Sequence, residues 1–229
     1  MAKQPFVMKI SQQDYDSTIS NRYTVLKKYG AEERILVNIF ALYSQFNFAE
    51  VMTRITLLNQ FYSTAIMDLR SVADRILSLP NVEADLKAGN IEVVEQIATI
   101  NHKGKPWHHN SFASKLANFH NNDAFPIMDS LVVEVLCKLR AKGFFVTHTK
   151  FSAEKLRTDY KFYKDVYDEF IVLSGIDRLM QDGRKLNYKD VDNYLWSSRK
   201  VKGLSPLSQE AQSAPTEYNQ IVNNIINSI

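Results

Sequence analysis

Apolar positions recur along this chain at helical rather than alternating intervals almost from end to end, which predicts an all-α protein with no strand run and no internal repeat. Helices are expected over about residues 12–29, 31–47 and 48–58. In the second, Ile35, Leu36, Val37, Ile39, Phe40, Leu42, Tyr43 and Phe46 leave almost no polar side, so it is expected to be enclosed by other helices at the centre of the core. Ser63 or Thr64 can cap a further helix carrying Leu69, Val72, Ala73, Ile76 and Leu79, which Pro80 terminates. Two short helices near 82–88 and 90–100 meet at Gly89 and Asn90. A polar connection from Asn101 to His109 follows them.

After that connection, Asn110 or Ser111 serves as an N-cap, and Phe112, Leu116 and Phe119 fall at i, i+4 and i+7. Ser111, Ser114, Lys115 and Asn118 share a second, polar face of the same helix. Asn121, Asn122 and Asp123 break the pattern, and Pro126 biases Phe125 away from helical angles. A new helix then starts with Asp129 or Ser130 as its cap, carries Leu131, Val132, Val135, Leu136 and Leu139, and stops at Gly143. A long helix is expected from about Ser152 to Ser174, with Leu156, Tyr160, Tyr163, Tyr167, Phe170 and Ile171 on its apolar side. Another runs from about Tyr188 to Arg199. Beyond Gly203 the Ser, Pro and Gln content suggests a loose tail over 204–229, with a short helix at Tyr218–Ile226. Residues 1–203 therefore read as one all-α unit of two packed helical lobes with a cleft between them.

Composition narrows the classes. At 229 residues and 45% hydrophobic content the chain is long enough for a sizeable core. Glycine is scarce, and Gly30, Gly143 and Gly175 each follow a helical stretch, as C-terminal stops do. Cys137 is the only cysteine, so neither a disulfide framework nor a thiolate metal cluster is expected, and a reducing, cytoplasmic setting fits. The N-terminus lacks the apolar core of a signal peptide, and Ile35–Phe46 is too short to span a bilayer, so no membrane association is expected. Neither a GxxxxGK[ST] nor a GxGxxG loop occurs, and GxSxG is missing too. No cofactor is expected. His102, His108 and His109 stand together without an acidic partner, and no metal site is read there.

Net charge is only +3, but its distribution is uneven. Between positions 138 and 164 lie Lys138, Arg140, Lys142, Lys150, Lys155, Arg157, Lys161 and Lys164 against Glu154 and Asp159. Lys138, Arg140, Lys142, Lys150, Lys155 and Lys161 are the candidate phosphate contacts of a DNA partner. Arg184, Lys185, Lys189, Arg199, Lys200 and Lys202 form a second basic cluster.

The chemistry centres on Lys115 and Asp129, on two helices joined by a proline-containing turn. An amine and a carboxylate aimed into one cleft suit imine-forming or base-excision chemistry. The same residues also fit a solvated lysine and a helix cap with no chemistry between them. Tyr62 and Trp107 lie beside polar connections where a ring can stack on a base, and with His109 and Ser111 they complete the expected pocket.

The segment Ser111-Phe-Ala-Ser-Lys115 through Phe125-Pro126-Ile-Met-Asp129-Ser130 resembles the helix-hairpin-helix DNA glycosylase superfamily, in particular bacterial proteins with the 8-oxoguanine DNA glycosylase fold. The resemblance covers about residues 58–140. It implies that Lys115 attacks the deoxyribose C1′ carbon of a flipped, damaged nucleotide and forms an imine, while Asp129 stabilises the developing sugar cation or assists proton transfer. Two departures stand against it. The hairpin that usually reads Leu-Pro-Gly-Val-Gly before the lysine is here Trp107-His-His-Asn-Ser-Phe-Ala-Ser114, with no glycine, and the spacing from Lys115 to Asp129 is shorter than usual. The alternative is a non-catalytic nucleic-acid- or protein-binding module that keeps the fold.

Overall fold

The computed structural model describes residues 6–25, 27–43, 45–102 and 105–201. Lys202, the expected tail over 204–229 and its helix at Tyr218–Ile226 lie outside the described residues, as do the side chains of Arg199 and Lys200. The chain is all-α. In order come α1 (Gln12–Val25), α2 (Lys27–Leu42), α3 (Phe48–Tyr62), α4 (Leu69–Ser78), α5 (Val82–Ala88), α6 (Glu92–Ala98), β1 (Thr99–His102), β2 (Lys105–His108), α7 (Asn110–His120), α8 (Ser130–Ala141), α9 (Ala153–Thr158), α10 (Tyr160–Ser174), β3 (Met180–Gln181), β4 (Arg184–Lys185) and α11 (Tyr188–Val201). The strands form two antiparallel two-stranded hairpins, β1 with β2 and β3 with β4.

One connected apolar cluster extends from Ile10 to Leu195. Its middle is α7 and α10. Helix α7 buries Phe112, Ala113, Leu116 and Ala117, and α10 buries Tyr160, Tyr163, Val166, Tyr167 and Phe170. Burying a tyrosine hydroxyl costs free energy unless it finds a partner, and on α10 the Tyr160 and Tyr163 hydroxyls are satisfied while that of Tyr167 is buried without one among the described residues. Two of the three hold the turn before α8, as described below.

Several boundaries differ from the sequence reading, each for a local reason. The expected helix over 152–174 is two helices, because the Asp159 side chain accepts from Phe162 N at 2.8 Å and caps α10 while its own N–H closes α9. Ser63 does not start a helix; it ends α3 in the left-handed region at φ 48°, and the cap of α4 is Asp68, whose carboxylate accepts from Ser71 N at 3.0 Å. Gly30 is no stop, since it lies within α2, whereas Gly143 and Gly175 do follow helix ends at φ 78° and 73°. The connection read as polar loop after Asn101 is largely β-hairpin.

Helix α2 is the clearest correction. It buries Ile35, Leu36 and Ile39, but Val37 is 53% and Leu42 59% exposed, so it lies on the surface with one face inward rather than at the centre of the core. Periodicity measures how apolar a helix is all round; it does not say whether a neighbour covers each side.

Candidate active site

Helix α7 presents its polar face to the interior. Ser114, Lys115 and Asn118 are all buried, Lys115 to 2% exposure. Three of the four residues expected on that face are thus placed where unpaired polar groups cost most, and each has work to do. Asn118 Nδ2 donates to the Phe125 carbonyl at 2.7 Å, and Met128 N–H donates to Ser114 Oγ at 2.9 Å. From the other side Tyr160 Oη donates to the Pro126 carbonyl at 2.7 Å and Tyr163 Oη to the Ile127 carbonyl at 2.5 Å. The four consecutive residues before Asp129 are therefore each tied to a rigid helix. That fixes where the carboxylate stands.

Asp129 is the cap of α8: Oδ1 accepts from Leu131 N at 2.8 Å. Its other oxygen, Oδ2, lies 3.8 Å from Lys115 Nζ. The carboxylate is a helix cap and a neighbour of the amine at once, and the solvated-lysine reading falls because Lys115 is buried. Lys115 Nζ donates to Ser111 Oγ one turn earlier at 2.7 Å and stands 5.7 Å from the centre of the Tyr62 ring. Burial pulls Lys115 below the ordinary lysine pKa; Asp129 and Asp192 oppose that shift and the charge of Lys189 adds to it.

Lys115, Asp129 and Tyr62 line a pocket of about 150 Å³. Its walls come from five parts of the chain: Glu32 and Glu33 of α2, Phe61 and Tyr62 of α3, Lys115 of α7, Ile127 and Asp129 of the turn, and Lys189, Asp192, Asn193 and Trp196 of α11. The α11 residues fall at i, i+3, i+4 and i+7, one helix face. Lys189 Nζ donates to Tyr62 Oη at 2.9 Å and lies 3.5 Å from Glu33 and 3.9 Å from Asp192. Burial alone would lower the pKa of Lys189, but Tyr62, Glu33 and Asp192 together raise it above the ordinary value. Burial raises the Tyr62 phenol as well.

Of the expected pocket residues, Tyr62 and Ser111 are at the site. Trp107 and His109 are not. They line a separate, mostly apolar depression with Met67, Asp68, Ser71 and Ile100, because β2 carries Trp107 away from the polar face of α7. Lys189, read as part of a basic surface cluster, is instead interior to the site. Its neighbour in that cluster, Arg184, forms a two-point pair with Asp190 at 2.6 and 3.1 Å.

The six candidate phosphate contacts sit away from the pocket. Lys138, Arg140 and Lys142 occupy the end of α8 opposite Asp129, a helix of 12 residues and so about 18 Å long. Lys138 pairs with Glu134 and Lys155 with Asp159, each at 2.7 Å, and the Arg140 guanidinium lies 5.4 Å from the Phe151 ring centre. Lys142 lies 5.3 Å from that of Phe6, and Lys150 and Lys161 are exposed. Among the described residues no group of three His, Cys, Asp or Glu side chains is arranged to hold a metal ion, and no helix is long and apolar enough to cross a membrane.

The chain is similar to known proteins over part of its length. The family model HI_0787_N, described as an N-terminal domain, matches residues 11–124. That range includes Tyr62, Ser111 and Lys115 but stops short of Asp129 and α11. A protein of Haemophilus influenzae whose own description is "Uncharacterized protein" is 36% identical over 146 residues, 64% of this chain and 64% of the relative's length. No solved structure matches the chain.

Proposed function

We propose that the protein is a DNA glycosylase or abasic-site lyase that works through Lys115 and Asp129. The observation that carries this reading is an interior lysine whose amine is held 3.8 Å from a carboxylate and beside an aromatic wall, in a pocket open to a ligand. An amine kept out of water is more readily neutral, and only the neutral amine is a nucleophile. In the reaction, Lys115 attacks C1′ of a nucleotide turned out of the duplex, the bond from C1′ to the base breaks, and Asp129 stabilises the positive charge that develops on the sugar. The base leaves with the C1′–N bonding pair and is protonated by water, and the proton lost by Lys115 passes by way of Asp129 to the ring oxygen, so that ring opening leaves an imine. The Tyr62 ring gives the extruded nucleotide a face to stack on. The exposed lysines at the far end of α8 and on α9 and α10 provide counter-charge for flanking phosphates.

Borohydride reduction in the presence of duplex DNA with one abasic site tests the reading. The wild-type protein should give a covalent adduct and Lys115→Gln none. Binding without any adduct would favour the non-catalytic nucleic-acid-binding module.

A further inference from the structure

Two lysines enter the same pocket, and their surroundings assign them opposite states. Lys115 Nζ and Lys189 Nζ lie 5.7 Å and 5.2 Å from the centre of one ring, that of Tyr62. Lys115 makes one short contact, to a neutral serine, and is 3.8 Å from a single carboxylate that already serves as a helix cap. Lys189 is surrounded by acceptors: the Tyr62 hydroxyl at 2.9 Å, Glu33 at 3.5 Å and Asp192 at 3.9 Å. Glu33 and Asp192 stand beside Lys189 Nζ, while Asp129 and Asp192 only partly offset the effect of burial on Lys115.

We propose that Lys189 is a positioning residue for Lys115: it supplies the pocket's permanent cation, takes up Glu33 and Asp192, and holds the Tyr62 ring in place, leaving Lys115 as the reactive amine. This rests on the reading of Lys115 as an imine-forming nucleophile. The groups that face Lys115 are Ser111 from its own helix, Asp129 from the cap of α8, Tyr62 from α3, Lys189 and Asp192 from α11, and Glu32 and Glu33 from the α2 wall. Among these Lys189 is the only other cation. Removing its charge deletes a like-charge neighbour and releases Asp192 and Glu33 toward Lys115. Both changes favour protonated Lys115, so they act in the same direction.

The test is the pH dependence of borohydride trapping on abasic duplex DNA, with circular dichroism and thermal melting to confirm that each variant is folded. Lys189→Met should move the trapping midpoint up, by roughly one pH unit, as loss of a like-charge neighbour does. Lys189→Arg should keep the wild-type midpoint, because the charge is conserved. Asp192→Asn should move it down, and this variant keeps the proposal open to test if Lys189→Met does not fold. A midpoint unmoved in folded Lys189→Met, or an upward shift in Asp192→Asn, overturns the proposal while leaving Lys115 as the nucleophile. No wild-type adduct at any pH overturns both.

Discussion

Replacing Tyr163 with phenylalanine removes one oxygen from the interior and nothing else. The ring stays packed between Tyr160 and Tyr167, with centroids 6.1 and 5.7 Å away, so the buried apolar area is retained. What is lost is the 2.5 Å bond to the Ile127 carbonyl, two residues before Asp129. Both Tyr163 and Ile127 are buried, so water does not replace the donor, and the orphaned carbonyl should cost about 1–3 kcal/mol. At about 2–4 °C per kcal/mol for a chain of this size, Tyr163→Phe should melt roughly 2–12 °C below wild type, whereas Lys150→Ala on the surface should not move. Burial also pushes the Tyr163 phenol well above its ordinary value, so the donor is retained through alkaline pH and the difference should not vary there. Loosening the turn also displaces Asp129. Misplacement on the scale of 1 Å can cost up to about a hundredfold in rate, so trapping by the folded variant should slow by about tenfold or more. Melting within about 1 °C of wild type together with unchanged trapping would show that the tyrosine bonds do not position the carboxylate.

Other perturbations follow from the same structure. Gly89 has φ 74°, and a Cβ there would meet Ala124 Cβ at 2.8 Å; Gly143 has φ 78° with nothing within 4 Å. Gly143→Ala should therefore cost about 1–2 kcal/mol of backbone strain and Gly89→Ala distinctly more, measured by urea denaturation; equal losses would argue against the close approach to Ala124. His120 packs against Phe40 and Phe46 beside the Arg54 guanidinium, and burial, then Arg54, pulls its pKa from 6.5 to about 3. Because the unfolded chain binds that proton more readily, the contribution of neutral His120 is full above pH 6.5 and is lost as pH falls toward 3. The drop in urea midpoint from neutral to acid should shrink in His120→Gln, and an undiminished drop would place the acid sensitivity elsewhere.

How far the sequence led depends on whether a feature is local. Asp129 as a cap, Gly143 as a stop and the polar face of α7 follow from neighbours within a turn, and spacing alone picked out Ser111, Ser114, Lys115 and Asn118. What spacing does not contain is which way a polar face looks. Here it looks inward, because Phe125–Met128 needs partners for four backbone groups and α7 and α10 supply them. Lys189 was legible as a charge but not as a buried one, since its partners Tyr62 and Glu33 are more than a hundred residues away in sequence. One clue was present: Lys189, Asp192, Asn193 and Trp196 share a face of α11 that is neither cleanly apolar nor cleanly charged. Trp107 and His109 were placed by their closeness in sequence to Lys115, and the β1–β2 hairpin sets them apart from it. The apolar circumference of α2 exceeded what its neighbours cover.

Peptide mapping of the borohydride-reduced adduct identifies the amine that forms the covalent bond, proposed above to be that of Lys115. Mass spectrometry of wild-type protein reduced with abasic DNA should locate the sugar-derived mass on Lys115, and the adduct should disappear in folded Lys115→Gln. An adduct on Lys189, on a surface lysine or on the α-amino group, or one formed at full yield by Lys115→Gln, would contradict that assignment.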